Sequence, residues 1–252
     1  MYPDLGDLWG GDFPLPTHDV FVGLGVLVAA IIFGLQMRHT RSTDERLIAV
    51  VAGALIGGAI FMRLGTWLQH VDLRENAGFV EHWLYGNKSI LGGLVGAWLG
   101  VHIAKKLTGY RPRTGDLFAP AVALGMAVGR IGCYLTESPG GDALSVSFLY
   151  EIAFHLLAFG VLWWVLRDRL QAPGESLVLY LAAYGVFRFG VEFVRGNEVV
   201  WWGLTRPQLF LALTVPLLLV RVIRQARRGR YRLAPRVPAT GDTLHTPESV
   251  LR

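Results

Sequence analysis

Long apolar runs restrict the fold of this chain more than any other feature. About seven stretches of apolar residues follow one another, and each is long enough to cross or nearly cross a bilayer. Backbone groups in hydrocarbon must be hydrogen-bonded within their own segment, so each run predicts a helix. The chain is 52% hydrophobic and its mean hydropathy is positive, which argues against a soluble domain of this size. We therefore predict an all-α integral membrane protein with about seven transmembrane helices.

The seven predicted segments have approximate bounds. They run from Asp19 to Met37, Leu47 to Leu68, Ser89 to Ala104, Leu117 to Leu135, Phe148 to Leu166, Leu177 to Val194 and Leu209 to Val222. We expect the third segment to be tilted or partly re-entrant, because it is short and rich in glycine.

Basic residues in alternate loops predict the orientation. They follow the first, third, fifth and seventh segments, for example Arg38 and Arg41, Lys105 and Lys106, Arg167 and Arg169, and Arg224 to Arg232. The other loops contain few Lys or Arg, so the positive-inside rule places the amino terminus outside and the carboxyl terminus in the cytoplasm. The pI near 9.6 then reflects topology, and we expect the basic tail to face an anionic leaflet rather than nucleic acid.

One membrane domain fits the length. We expect an outer amino-terminal arm at residues 1–18, a transmembrane domain at 19–225 and a flexible, basic cytoplasmic tail at 226–252. The first residues are acidic and contain proline, so no signal peptide is evident. Cys133 is the single cysteine, which excludes an intramolecular disulfide. The histidines are scattered, so we expect neither a metal nor another cofactor.

Several ionisable residues stand within or at the rim of the apolar segments. They are Arg63, Lys88, Arg130, Glu137, Glu151, Arg188, Glu192 and Arg195. Most of them lie at predicted outer ends, so the charges should converge on the side away from the cytoplasm. Ion pairing explains Glu192, which has arginines three and four residues away on a predicted helix. The remaining positive charge favours an anion, and a lipid phosphate fits a guanidinium fork.

Glycines recur at four-residue spacing in the third segment, at Gly92, Gly96 and Gly100. This spacing favours close helix–helix contact. Gly92 and Gly93 have a second interpretation, because they lie where a helix would begin after Ser89. Free N–H groups at a helix amino terminus bind anions, and both interpretations remain open from the sequence.

Several motifs together resemble the prolipoprotein diacylglyceryl transferase family. They are Gly129-Arg130-Ile131-Gly132, Leu149-Tyr150-Glu151 and the block from Tyr184 to Arg195, with Leu91 to Gly96 upstream and Gln208-Leu209 downstream. The order and spacing agree over roughly residues 45–220, and the block that contains Tyr184, Arg188, Glu192 and Arg195 is the most specific part.

The resemblance implies a transferase of the cytoplasmic (inner) membrane. Such an enzyme moves the diacylglyceryl group of phosphatidylglycerol onto the lipobox cysteine of a preprolipoprotein and releases glycerol phosphate. The phospholipid-binding residues would be Arg130, Arg188, Arg195, Gly92, Gly93, Tyr184 and Glu151. The catalytic residues would be Arg130, Arg188, Glu192, Glu137 and Lys88.

The chain departs from the family pattern at several places. Leu91 stands where the family usually has histidine, and Cys133 where it usually has asparagine. Thr136-Glu137-Ser138 replaces an asparagine–glycine–glutamate sequence, so the carboxylate comes one residue early. Two alternatives follow: a relative that uses the same donor with another acceptor, and a catalytically silent lipid-binding protein. For the general base, Lys88 and Glu137 are the candidates. The simpler interpretation is that Lys88 snorkels to headgroups and Glu137 is solvated.

Overall fold

Seven apolar helices form the molecule in a computed structural model that describes residues 4–6, 15–41, 44–69, 89–137 and 143–235. They are α1 (Thr17–His39), α2 (Arg46–Gln69), α3 (Ile90–Thr108), α4 (Gly115–Glu137), α5 (Ala143–Gly160), α6 (Ser176–Val191) and α7 (Arg206–Arg227). A π-helical turn, Val161–Leu166, extends α5, and an antiparallel hairpin of β1 (Val199–Trp201) and β2 (Leu204–Thr205) joins α6 to α7. The predicted all-α, multi-span membrane fold is confirmed.

Six of these helices are long and apolar enough to cross a bilayer, with α5 and its π-helical extension taken together. The third predicted segment is one continuous helix of 19 residues, α3, so the expectation of a re-entrant segment is not supported. At 1.5 Å per residue α3 is about 28 Å long, close to the thickness of a hydrocarbon core.

The sixth helix is shorter than the sequence predicted. Helix α6 has 16 residues and ends at Val191, with Glu192 as its C-cap, whereas the apolar run continues to Val194. The chain then turns through Gly196, whose φ is +70°, a conformation that glycine adopts without strain. Hydropathy cannot detect this end, because apolar residues continue past the point where the backbone leaves the helix.

Glycines bring α2 and α3 into direct backbone contact. A Cβ atom at Gly96 would overlap the carbonyl oxygen of Gly57, and one at Gly100 would overlap that of Gly53. A similar contact between Gly25 and Gly125 joins α1 to α4. Small residues are the usual means of close packing where lipid provides no hydrophobic drive between helices.

Two buried clusters fix the first half of α4. Leu117 and Ala121 of α4 pack with Ile32 of α1 and with Leu47 and Val50 of α2. On the other side, Ala119 and Ala123 pack with Leu162 and Tyr180. Many large apolar side chains elsewhere are exposed, as expected for a surface in contact with lipid. The second half of α4, which carries Arg130, is thereby held at a defined position in the bundle.

The chain after α7 contacts the loop between α5 and α6. The backbone N–H of Ala234 donates to the carbonyl of Arg169 at 2.7 Å, and that of Gln171 donates to the carbonyl of Arg232 at 3.2 Å. The described beginning of the basic tail is therefore hydrogen-bonded to the bundle, although the sequence predicts a flexible segment here.

Candidate functional site

Three arginines meet one buried carboxylate between α4, α5 and the end of α6. The Glu151 side chain is fully buried and pairs with Arg130, whose Nη2 contacts Oε2. Arg195 Nη1 lies 3.1 Å from Glu151 Oε1, and Arg188 Nε lies 3.6 Å from the same oxygen. We call Arg130, Arg188 and Arg195, with Glu151 and Glu192, the arginine cluster.

The second carboxylate of the cluster ties α6 to the hairpin before α7. Glu192 is 1% exposed and pairs with Arg188 one turn earlier. It also accepts hydrogen bonds from Asn197 Nδ2 at 2.5 Å and from Thr205 Oγ1 at 3.0 Å. Thr205 in turn is the N-cap of α7 in a capping box with Gln208. Glu192 therefore fixes the position of Arg188 relative to α7.

Arg195 does not pair as the sequence spacing suggested. The sequence predicted one helical face shared by Arg188, Glu192 and Arg195, with Glu192 able to pair with either arginine. Because α6 ends at Val191, Arg195 lies beyond the helix and turns toward Glu151 on α5. Glu192 pairs with Arg188 alone among the three arginines, and Glu151 contacts all three.

Aromatic and imidazole side chains lie directly beside the cluster. The hydroxyl of Tyr184 is 3.5 Å from Glu151 Oε2. One turn along the same two helices, the Tyr180 hydroxyl lies 3.0 Å from His155 Nδ1, and the His155 ring is 4.8 Å from that of Tyr184. His155 is fully buried, and its Nε2 has no hydrogen-bond partner among the described residues.

Sequence reasoning missed two residues of this environment. In the sequence His155 is one of several scattered histidines, although its position four residues after Glu151 places it on the same helical face. Phe148, three residues before Glu151, is also fully buried. Its ring centroid is 4.7 Å from the Arg195 guanidinium carbon and 5.8 Å from that of Arg130, within the range of cation–π attraction.

The charges of the arginine cluster do not cancel. Three guanidinium groups face two carboxylates, which leaves one positive charge without a counter-charge among the described residues. In addition, Arg130 Nε is buried and has no hydrogen-bond partner among the described residues. A buried unpaired donor is costly, so both features favour an anion that also accepts hydrogen bonds.

Cys133 lies beside Arg130 on α4. Its thiol is buried, and Arg130 Nη1 is 3.9 Å from Sγ. The residue that departs from the family pattern therefore contacts the arginine of the neighbouring motif.

The structure does not bring every predicted residue into this cluster. Gly92 packs against Phe61 and Gly65 of α2, and its N–H donates to the Ser89 hydroxyl at 3.2 Å. The N–H of Gly93 donates to the Ser89 carbonyl at 2.9 Å. These contacts favour helix packing and capping over an anion cradle. Lys88 lies outside the described residues, and so does the side chain of Glu137, the last residue of α4.

Comparisons with known proteins agree with the resemblance seen in the sequence. The model of the family described as prolipoprotein diacylglyceryl transferase matches residues 8–224. A phosphatidylglycerol–prolipoprotein diacylglyceryl transferase of Dehalococcoides mccartyi is 26% identical, over 87% of this chain and 94% of its own length. The protein of that name from Bordetella bronchiseptica is 30% identical, over 77% of this chain and 84% of its own length. That from Staphylococcus saprophyticus is 25% identical, over 92% and 91%.

No solved structure matches the chain. The family match nevertheless covers most of the sequence, including all five residues of the arginine cluster. The chain therefore belongs to the prolipoprotein diacylglyceryl transferase family.

Proposed function

We propose that this membrane protein transfers the diacylglyceryl group of phosphatidylglycerol to the lipobox cysteine of prolipoproteins and releases glycerol phosphate. The observation that carries the proposal is the buried arginine cluster, in which three guanidinium groups face two carboxylates and Arg130 Nε has no hydrogen-bond partner among the described residues. Its residues belong to a chain whose relatives are named phosphatidylglycerol–prolipoprotein diacylglyceryl transferases. The proposed location is the cytoplasmic (inner) membrane, with residues 19–225 as the catalytic domain.

The reaction needs positive charge where the leaving group departs. The cysteine sulfur attacks the carbon of the diacylglycerol unit that bears the phosphate ester, a C–S bond forms, and the bond from that carbon to the phosphate oxygen breaks. The bonding electrons leave with glycerol phosphate, while the thiol proton passes to a base. Fixed guanidinium groups stabilise the charge that develops on phosphate, and they do so strongly in a site that excludes water.

Each residue of the cluster has a role in this proposal. Arg130 and Arg188 bind the phosphate, because a guanidinium presents parallel donors to its oxygens. Glu151 holds the arginines at its two oxygens, and Tyr184 and Arg195 complete its contacts. Glu192 is an organiser rather than a base, since its carboxylate is already occupied by Arg188, Asn197 and Thr205.

The general base that accepts the thiol proton is proposed from residue chemistry and not from contacts in the structure. Leu91 carries no titratable group where the family usually has histidine, so another residue must accept the thiol proton. Lys88 and Glu137 are the titratable candidates next to the motifs.

A second candidate function is transfer from the same donor to a different acceptor. The contact between Arg130 and Cys133 favours it, because the residue beside the phosphate-binding arginine is a thiol rather than an amide. The departures at Leu91 and Cys133 leave the five residues of the arginine cluster unchanged.

The test uses the purified full chain in phosphatidylglycerol liposomes, with and without a lipobox peptide, followed by mass spectrometry of lipid and peptide. We expect a peptide that is heavier by one diacylglyceryl group, together with free glycerol phosphate. Arg46→Lys is the control, because Arg46 is exposed and pairs with Asp44 away from the arginine cluster. Consumption of phosphatidylglycerol without peptide modification would support the second candidate, and no consumption would contradict both.

A further inference from the structure

A second group of arginines lies at the opposite end of the bundle from the arginine cluster. Arg130 follows the start of α4 by about 22 Å of helix, and Arg188 follows the start of α6 by about 18 Å. Arg113 lies just before the first residue of α4, and Glu175 lies just before the first residue of α6. The two groups are therefore separate sites on the same helices.

Glu175 organises this second group. The side chain is 1% exposed, and Oε1 lies 2.6 Å from Arg221 Nη2 and 3.6 Å from Arg113 Nη1. The Tyr231 hydroxyl donates to Oε2 at 3.3 Å. Arg113 also donates to the carbonyl of Pro173 at 3.3 Å. The guanidinium groups of Arg113 and Arg221 are thus held in place, while about half of each side chain remains exposed.

A groove of about 320 Å³ opens next to these residues, lined by Arg113, Arg221, Arg224, Gln225 and Arg228. Arg224 and Arg228 are exposed and make no ion pair within the described part of the chain. Of the four arginines that line the groove, Arg113 and Arg221 pair with Glu175, and the other two have no carboxylate partner among the described residues. Gln225 adds a buried side-chain oxygen without a hydrogen-bond partner among the described residues. The oxygen and nitrogen of such an amide are interchangeable by rotation, so the group can present a donor to the groove.

The helix ends at this groove add to its positive field. Gly115 and Gly174 are in backbone contact, so the first turns of α4 and α6 lie side by side. The amino-terminal end of each helix carries a partial positive charge. Asp116 offsets part of it by accepting from the N–H groups of Gly174 and Ser176.

We propose that this groove binds the phosphate of an anionic phospholipid in the leaflet at this end of the bundle. The excess of positive charge favours an anion, and the guanidinium groups match phosphate oxygens. The lipid source is favoured because the groove lies at the end of α7, a helix apolar enough to cross the membrane. This end is the one that the loop charges predict to be cytoplasmic, where anionic lipids attract basic residues.

The inference does not depend on the transferase reaction, because it concerns the other end of the same helices. Lipid bound here would fix α4, α6 and α7 relative to one another at a point far from the arginine cluster. Its expected role is therefore to hold these helices in register in the membrane.

Native mass spectrometry of the full chain tests the proposal, with phosphatidylglycerol and a phosphatidylcholine of the same acyl chains as probes. The variant is R224Q/R228Q, which removes two groove arginines and leaves the contacts of Glu175 intact. The matched control is R227Q/R230Q, which removes the same charge from exposed positions of the same segment outside the groove lining. Circular dichroism checks that both variants are folded, and the single variant R228Q gives a milder version of the same change.

We expect R224Q/R228Q to retain one phosphatidylglycerol fewer than the wild type, with an affinity for that lipid lower by roughly thirtyfold. The control should retain the wild-type number, and phosphatidylcholine should not substitute. Three results would overturn the inference. The first is that R224Q/R228Q retains as much phosphatidylglycerol as the wild type. The second is that both double variants lose phosphatidylglycerol equally. The third is that excess inorganic phosphate displaces the lipid, which would indicate a soluble anion instead.

Discussion

Arg188 is the residue that joins the two halves of the arginine cluster. Its guanidinium contacts Glu192 on one side, and its Nε lies 3.6 Å from Glu151 on the other. Arg130 reaches the same Glu151 carboxylate from α4. A planar group with several fixed donors is suited to this bridging position, whereas an ammonium group is not.

The first prediction concerns this geometry. Arg188→Lys and Arg130→Lys preserve the charge but remove the planar fork, so each should lose at least one charged hydrogen bond. Such a bond contributes roughly 1.5–3 kcal/mol. The turnover of phosphatidylglycerol should therefore fall roughly ten- to hundredfold. Arg46→Lys is the matched control, and wild-type lipid binding and turnover in both site variants would contradict the phosphate-binding role.

The second prediction separates an organising role for Glu192 from a catalytic one. Glu192→Gln leaves Arg188 without its close carboxylate in a buried setting, which should cost on the order of 3–5 kcal/mol of stability. Thermal unfolding in detergent should therefore show a lower midpoint together with lower activity. A variant that is inactive and as stable as the wild type would identify Glu192 as a direct participant in the reaction.

The third prediction concerns the base. Lys88→Met or Glu137→Gln should abolish turnover while leaving the affinity for phosphatidylglycerol nearly unchanged, because the proposal gives phosphate binding to Arg130 and Arg188 and only proton transfer to these two residues. Lipid binding and peptide modification are measured on the same preparation. If both variants turn over normally, then the thiolate forms in the field of the arginines, or the acceptor is not a thiol.

At the level of elements, the pairing of α2 with α3 depends on glycines, whose lack of a Cβ atom lets the two backbones touch. Gly53, Gly57, Gly96 and Gly100 form one continuous seam of backbone contact. The pair of helices α2 and α3 packs against α1 and α4 through Leu47 and Val50 near the start of α2. The glycine seam therefore determines the relative position of the two helices along their length.

The fourth prediction tests the seam. Gly100→Ala places a methyl group where the carbonyl oxygen of Gly53 lies, so the helices must separate. Overpacking of this kind costs about 1–3 kcal/mol, and the thermal midpoint should fall accordingly. Gly34→Ala on α1 is the matched control, since a Cβ there meets nothing within 4 Å. Equal midpoints for the two variants would show that the seam contributes nothing to stability.

At the level of the whole molecule, the charged groups divide between two ends. The arginine cluster lies where α4 and α6 end, and the second group of arginines lies where both helices begin. Apolar side chains occupy the bundle between them, including the cluster of Ala119, Ala123, Leu162 and Tyr180. This division matches a protein that contacts polar headgroups at both faces of a bilayer.

The fifth prediction concerns orientation. In a Cys133→Ala background, a cysteine at Glu198 should react with an impermeant reagent from outside intact cells, and a cysteine at Arg230 only after the membrane is opened. Glu198 is 80% exposed in the turn after α6, and Arg230 follows α7. The loop charges are the physical reason, because they place the odd-numbered helices with their carboxyl ends inside. The reverse labelling pattern would reverse the topology and place the proposed reaction in the cytoplasm.

The sequence by itself determined the helices and the family. Apolar runs in hydrocarbon have few alternatives to the helix, so the number of elements and most of their bounds followed from hydropathy. The motifs around Arg130, Glu151 and Arg188 were recognisable because their residue types and spacing are local properties of the chain. The seam glycines Gly96 and Gly100 were likewise readable from their four-residue spacing.

Only the tertiary structure decided which groups meet. Arg195 pairs with Glu151 rather than Glu192, because α6 ends earlier than its apolar run and the chain turns toward α5. His155 and Phe148 lie beside the arginines only because α5 presents that face to α4 and α6. Spacing along one helix predicts neighbours on that helix, whereas contacts between helices depend on rotation and crossing geometry, which no single segment encodes.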